Sequence, residues 1–311
     1  MAFRNEPLVE APGLGAVVTG LAVEALCDPE VGDRLRALWI EAGLLVFRGL
    51  KGGSVTQDRL SRVFGEPEMH PLFADRPGQH PTLIDLVFDP EVQEIYELGG
   101  EQRGGWLPWH SDLIYTARIN RGGILRPVEL PREGGETGFI DQIAAYAALP
   151  EALKRRIEGL DVFYNPVFDA TRQRFGRDPG LRMARQSERL RHLAGQSRPR
   201  AIHPMVYTQA ETGRRVLNVS PWFADGIEGM ETAEGDRLLE EVVGWCARPE
   251  LAYYHRWRAD DMVLWDNWRM LHCAKGVPVD CRRHMQRTTI AGDYALGRLE
   301  QTATPPVQAV G

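Results

Sequence analysis

"AYYHRWRADDMVLWDN" (Ala252–Asn267) is dense in aromatic and branched side chains, and it reads as strand. Working outward, "RAIHPMVYT" (Arg200–Thr208), "RRVLNVS" (Arg214–Ser220) and "HMQRTTIAGDY" (His284–Tyr294) read the same way. A helix is predicted between them over Thr232–Arg248. From Gly65 to about residue 150, short strands alternate with Gly/Pro turns, and "AAYAALPEALKRRIEGL" (Ala144–Leu160) contains a helix around Pro150. Nearer the N-terminus a strand is predicted over Leu14–Leu21 and a helix over Asp28–Gly43. Asp28 suits the N-cap, Pro29 the first turn and Gly43 the stop. A strand over Leu44–Leu50 and a second amphipathic helix ending at Gly65 follow. Helices first and then many strands, with no βαβα alternation, argue for a mainly β fold, an antiparallel sandwich or barrel decorated by helices.

The chain has 311 residues, 43% apolar and 26% charged, with a net charge of −6. This is ordinary globular composition and implies no global attraction to nucleic acid. Four cysteines, Cys27, Cys246, Cys273 and Cys281, make no C-x-x-C pair and suit a reducing cytoplasm. Neither a signal-peptide run nor a stretch long and apolar enough for a membrane span is expected. Residues 1–300 are expected to form one domain, with an arginine-rich, lid-like insert near 165–200 and a flexible tail over 301–311.

Nine arginines fall between Thr171 and Arg200, opposed only by Asp178 and Glu188. Arg182, Arg185 and Arg189 are expected on one helix face. The stretch reads either as a solvated face or subunit contact, or as a mobile lid that attracts an anionic substrate; nucleic-acid binding is disfavoured, because Phe175 is the only aromatic in the run.

"WHSDLIY" (Trp109–Tyr115) sets a His and an Asp two apart in aromatic surroundings. On a strand, His110 and Asp112 would share a face. Such a pair is two-thirds of the 2-His-1-carboxylate triad that binds non-haem Fe(II); alone it is more often a surface pair or an unrelated hydrogen bond. A third ligand should come from a distant strand, and "VLWDNWRMLHCAKG" offers His272, with His255 next in line. Downstream, Arg283, Met285 and Arg287 would share one strand face, while His284 and Gln286 face away. Four strand residues span roughly 13 Å, so the two guanidinium groups would not grip one carboxylate together.

His110-x-Asp112, "GGETGF" with Thr137, "WDN" followed by His272, and Arg283-x-x-x-Arg287, in this order, resemble the TauD/TfdA family of Fe(II)/2-oxoglutarate dioxygenases. The pattern runs from "LLVFRGL" to "RTTIAGD". The resemblance implies a double-stranded β-helix (jelly-roll) core and an enzyme that uses Fe(II), 2-oxoglutarate and O2 on a small molecule. It also implies that relatives form dimers or tetramers. Residue by residue, it implies that His110, Asp112 and His272 bind iron, and that Thr137 and Arg283 bind the distal carboxylate of 2-oxoglutarate. Arg287 and His70 would contact the substrate near its anionic group. Asp112 argues against a halogenase, since related halogenases have a small residue there.

Three positions depart from the taurine enzyme's pattern. Trp106 stands where an asparagine contacts the substrate amine, Phe73 replaces a tyrosine near the pocket histidine, and "WDNW" puts Trp268 before Arg269. These changes imply a more apolar pocket and count against taurine itself. The expected outcome is hydroxylation of an anionic, partly apolar molecule, with C–O, C–N or C–S cleavage where the hydroxylated carbon bears such a bond. Desaturation or ring formation, and a jelly-roll binding protein without turnover, are the alternatives.

Overall fold

The apolar run after Gly43 forms the strand Leu44–Arg48 (β1), whose first four residues are fully buried. Leu45 and Phe47 meet the N-terminal helices, while Leu44 and Val46 enter a second core on the opposite face. The structure, a computed structural model, describes residues 2–11, 13–71, 82–194 and 198–301. Phe73 and the expected tail from 302 onward lie outside the described residues.

Two helices cover the outer face of β1. Pro29–Ala42 (α1) starts where the Asp28 carboxylate accepts a hydrogen bond from the Glu30 amide at 2.9 Å, and it stops at Gly43. Gly43 has φ 71°, and any side chain there would collide with Met270 and Arg269. Gly53–Phe64 (α2) buries Leu60 and Phe64 against the same layer.

β1 belongs to an eight-stranded sheet that also contains Leu83–Phe88 (β2), Gly122–Glu129 (β4), Asp261–Asp266 (β6) and Arg283–Ile290 (β8). A six-stranded sheet faces it, built around Glu101–His110 (β3), Thr137–Asp141 (β5) and Met270–Pro278 (β7). The pairings β6–β4, β4–β8 and β8–β2 are antiparallel, as are β3–β7 and β7–β5. Leu125, Phe139, Val263, Trp265, Met270 and Met285 fill the space between the sheets. The architecture is the expected jelly-roll with flanking helices.

Beyond the second sheet lie Gln142–Ala148 (α3) and Glu151–Ile157 (α4). The chain breaks between them at Leu149, held extended (ψ 141°) ahead of Pro150. Glu188–Ala194 (α5) and Ala233–Cys246 (α6) complete this side. No helix among the described residues is long and apolar enough to cross a membrane.

The arginine-rich stretch corrects one expectation. Arg182 and Arg185 lie on a strand, Arg182–Arg185, paired with Ile95–Leu98, and only Arg189 lies on a helix, α5. Pairing to a sheet edge overrides helical spacing here, and Ser187 Oγ caps α5 by accepting from the Leu190 amide at 3.0 Å. Much of the stretch is tethered. Arg174 reaches Asp225 and Asp236, Arg185 reaches the Gln93 carbonyl, and Arg200 reaches Glu231 and Glu300.

A buried ion pair fastens the turn before β7 to the end of β5. Arg269, just before β7, donates to Asp141 through Nη2 at 2.5 Å and Nε at 3.2 Å, and both groups are buried. Asp141 also caps α3 by accepting from the Ile143 amide at 2.9 Å. Arg269→Ala strands a buried carboxylate, so we expect a loss of about 3–5 kcal/mol in urea unfolding. A loss below about 1 kcal/mol would show that the pair is dispensable.

Candidate active site

His110 is the last residue of β3, and His272 sits opposite it on the neighbouring strand β7. Their rings are 4.2 Å apart. Asp112 completes the cluster: its Oδ1 is 3.8 Å from His110 Nε2 and its Oδ2 3.4 Å from His272 Nε2. These three residues offer ligand atoms within 4.8 Å of one another, and all three are buried. His255, the other candidate, is elsewhere: its Nδ1 bonds the Tyr253 hydroxyl and its Nε2 is 3.0 Å from Asp261.

Asp112 is not on the strand. β3 ends at His110, and the carboxylate projects from the turn that follows, so shared strand parity does not explain the pair. Asn267 positions it: Asn267 Oδ1 accepts from the Asp112 amide at 2.8 Å, and its Nδ2 donates to the Asp112 carbonyl at 3.0 Å. Leu113, next in the chain, is the one non-glycine residue with positive φ, 57°, among the described residues, a conformation that costs of order 1 kcal/mol. The "WDN" signal was in the sequence, but the part played by its asparagine was not.

The protonation states suit a metal. The His110 Nδ1–H faces the Pro108 carbonyl at 2.7 Å, which leaves the Nε2 lone pair toward Asp112 and His272. Burial, reinforced by His272, pulls the His110 pKa down to about 3, so the ring is neutral. Burial alone would raise the Asp112 carboxyl, but the Arg287 guanidinium, with His272, overrides it and holds Asp112 well below the usual carboxylate range. Arg287 forks onto that carboxylate, Nη1 to Oδ1 at 3.2 Å and Nη2 to Oδ2 at 2.6 Å. In this structure, therefore, the guanidinium expected near a substrate anion is engaged by an iron-ligand candidate.

Arg283 lies on β8 four residues before Arg287; both line the same cavity, and Arg283 Nε would lie 3.4 Å from a side chain placed at Gly135. Its Nε is sealed and has no hydrogen-bond partner among the described residues, and burial lowers its pKa to about 10. His284 and Gln286 face the other way, both bonded to Asp85. Thr137, on β5, accepts from Trp257 Nε1 at 3.1 Å through its hydroxyl. A half-buried guanidinium with no ion pair among the described residues carries a desolvation cost, which a carboxylate-bearing ligand would offset.

These groups surround one cavity of about 260 Å³, lined by His110, Asp112, His272, Thr137, Arg283 and Arg287. His70 also lines it, and burial, followed by the nearby Arg287 charge, lowers its pKa to about 4. Trp106 does not line it. β3 advances three residues, Leu107 to His110, while β7 advances two, Ala274 to His272. This bulge reverses side-chain parity: Leu107 faces the cavity, and Trp106 packs edge-on against Tyr96 at 5.4 Å.

The aromatic wall carried no separable signal in the sequence. Trp222 and Phe223 stack at 4.6 Å, and Tyr115 and Phe168 pack on Phe223. The loop that carries them docks on the "WHSD" turn, with Ser220 Oγ accepting from the Ser111 amide and the Trp222 amide donating to the Trp109 carbonyl. Such residues look like core until the chain folds. α5 adds Arg189, Leu190 and Leu193.

Residues 4–289 match the family described as "Taurine catabolism dioxygenase TauD, TfdA family". The (S)-phenoxypropionate/alpha-ketoglutarate-dioxygenase of Sphingobium herbicidovorans is 32% identical over 94% of this chain and 96% of its own. The alpha-ketoglutarate-dependent 2,4-dichlorophenoxyacetate dioxygenase of a Burkholderia species is 34% identical over 88% and 90%. A taurine dioxygenase structure from Burkholderia xenovorans shares the fold, with a TM-score of 0.73 at 24% identity over 97% and 96%. With that match spanning nearly its whole length, the chain belongs to the TauD/TfdA family of dioxygenases, which work with Fe(II), 2-oxoglutarate and O2.

Proposed function

We propose that the chain hydroxylates a small molecule with one anionic group and an apolar, preferably aryl, body. His110, Asp112 and His272 hold Fe(II), and Arg283 with Thr137 receives the distal carboxylate of 2-oxoglutarate. The observation that carries this reading is the single cavity that joins a neutral-His, ionised-Asp cluster to a guanidinium with no carboxylate partner among the described residues and to a wall of aromatic rings. The two relatives above, named for aryloxy acids, support the same class.

Fe(II) with 2-oxoglutarate and O2 supplies the power to oxidise an unactivated C–H bond. One oxygen atom enters the substrate as hydroxyl, and the other leaves in succinate alongside CO2. The chain supplies position and shelter. The pKa of His110 keeps it an unprotonated ligand, Arg287 keeps Asp112 ionised and oriented, and Trp222, Phe223 and Tyr115 exclude water. When the hydroxylated carbon bears an ether oxygen, the hemiacetal collapses and the C–O bond breaks.

The test is succinate release with a phenoxyacetate, a 2-phenoxypropionate and taurine, with products followed by mass spectrometry. An aromatic ring buries about 150 Å² or more, worth about 25 cal/mol per Å². The aryl acids should therefore exceed taurine by about 100-fold or more in kcat/KM. Equal or better turnover of taurine would overturn the substrate class.

A further inference from the structure

We infer that Trp257 is a positioning residue for the cosubstrate: its indole N–H fixes the Thr137 hydroxyl as a donor toward the distal carboxylate of 2-oxoglutarate. This rests on the placement of that carboxylate proposed above, and it adds a side chain that acts only through Thr137.

Thr137 lines the cavity, whereas Trp257, half-buried, stands behind it and does not. Trp257 Nε1 donates to Thr137 Oγ1 at 3.1 Å. An indole N–H can only donate, while a threonine hydroxyl carries one proton and two lone pairs. The contact therefore occupies one lone pair and keeps the hydroxyl proton from turning back toward the indole. No acceptor among the described residues takes that proton. A carboxylate only accepts, so a hydroxyl held in this state is its complement. Arg283 belongs to the same end of the cavity. A side chain at Gly135, two residues before Thr137, would come within 3.4 Å of its Nε.

The indole is itself held in place. The short strand Tyr253–His255 pairs with β5 at the edge of the six-stranded sheet, with His255 opposite Thr137. Two residues further on, Trp257 packs edge-to-face on the His255 ring, with centroids 4.6 Å apart and planes at 86°. That imidazole is anchored in turn, by the Tyr253 hydroxyl at 2.9 Å from Nδ1 and by buried Asp261 at 3.0 Å from Nε2. Trp257 also packs against the core between the two sheets. His255, which is not in the metal cluster, thus helps to set the angle of the indole. A hydroxyl that already accepts one hydrogen bond is polarised and donates more strongly, so the indole both aims and strengthens the contact with the carboxylate.

Calorimetric titration of the Mn(II)-loaded full chain with 2-oxoglutarate tests this in Trp257→Phe, Thr137→Val and the double variant. Phenylalanine keeps an apolar ring and removes the N–H. Trp257→Phe should weaken 2-oxoglutarate binding about fivefold, with Mn(II) affinity unchanged. Thr137→Val should weaken it about tenfold or more, as the loss of a charge-assisted hydrogen bond does. In the Thr137→Val background, Trp257→Phe should cost nothing further, within about twofold, because the hydroxyl through which it acts is gone. Thr137→Ser keeps the hydroxyl and should keep the sensitivity to Trp257→Phe. A purely structural indole would give the same loss in every background. That result, or wild-type affinity in Trp257→Phe, would overturn the inference and leave the placement of the carboxylate standing. Wild-type affinity in Thr137→Val would remove Thr137 from the cosubstrate site, and the inference with it.

Discussion

Alanine at His110, Asp112 or His272 should abolish 2-oxoglutarate turnover and weaken metal binding by orders of magnitude. Each side chain offers one of three potential ligand atoms in a cluster only 4.8 Å across, and no other cluster of this type occurs among the described residues. Asp112→Ala has a second effect. It leaves Arg287, 9% exposed, without its carboxylate, and so should also cost about 3–5 kcal/mol of folding stability. His272→Ala makes a cavity but strands no charge, and should cost less. Asp112→Glu should fail as well, because one added carbon–carbon bond displaces the carboxylate by about 1.5 Å, where a metal site tolerates about 0.2 Å. Anaerobic titration with Mn(II), succinate release and thermal unfolding separate the two effects. Substantial turnover by His272→Ala would mean that the metal lies elsewhere.

Arg283→Ala gives the second large effect, on the cosubstrate rather than the metal. A charge-assisted hydrogen bond is worth roughly 1.5–3 kcal/mol, so KM for 2-oxoglutarate should rise roughly tenfold to over a hundredfold, with Mn(II) affinity little changed. Arg283→Lys should restore only part, since the planar fork is lost. The free protein should respond in the opposite direction. Arg283 has a sealed Nε without a partner among the described residues, so Arg283→Met should stabilise the fold by about 1 kcal/mol or more while removing 2-oxoglutarate binding. Unfolding in urea with and without 2-oxoglutarate measures both. A KM that does not move would remove Arg283 from the cosubstrate site. A destabilised Arg283→Met would show that the guanidinium is already satisfied in the free protein.

Local chemistry in the sequence determined much of this protein. Asp28, Pro29 and Gly43 delimit α1 through capping and left-handed backbone, interactions complete within one helix and its ends. Period-two alternation put Arg283 and Arg287 on one face of β8 and sent His284 and Gln286 to Asp85. The ordered motifs pointed to His110, Asp112 and His272, which fold into one cluster although 160 residues of chain separate Asp112 from His272.

Tertiary structure alone decided the rest, because the deciding partners are far away in the chain. Asp112 lies past the end of its strand and is oriented by Asn267. Trp106 turns from the cavity because β3 bulges against β7, and a single inserted residue reverses parity without any mark in composition. The stretch 182–189 is not one helix, because an open sheet edge captured its first half. Arg287 meets Asp112, since a buried guanidinium takes the carboxylate that the fold brings within reach. Periodicity fixes which way a side chain points, but only packing decides what it meets.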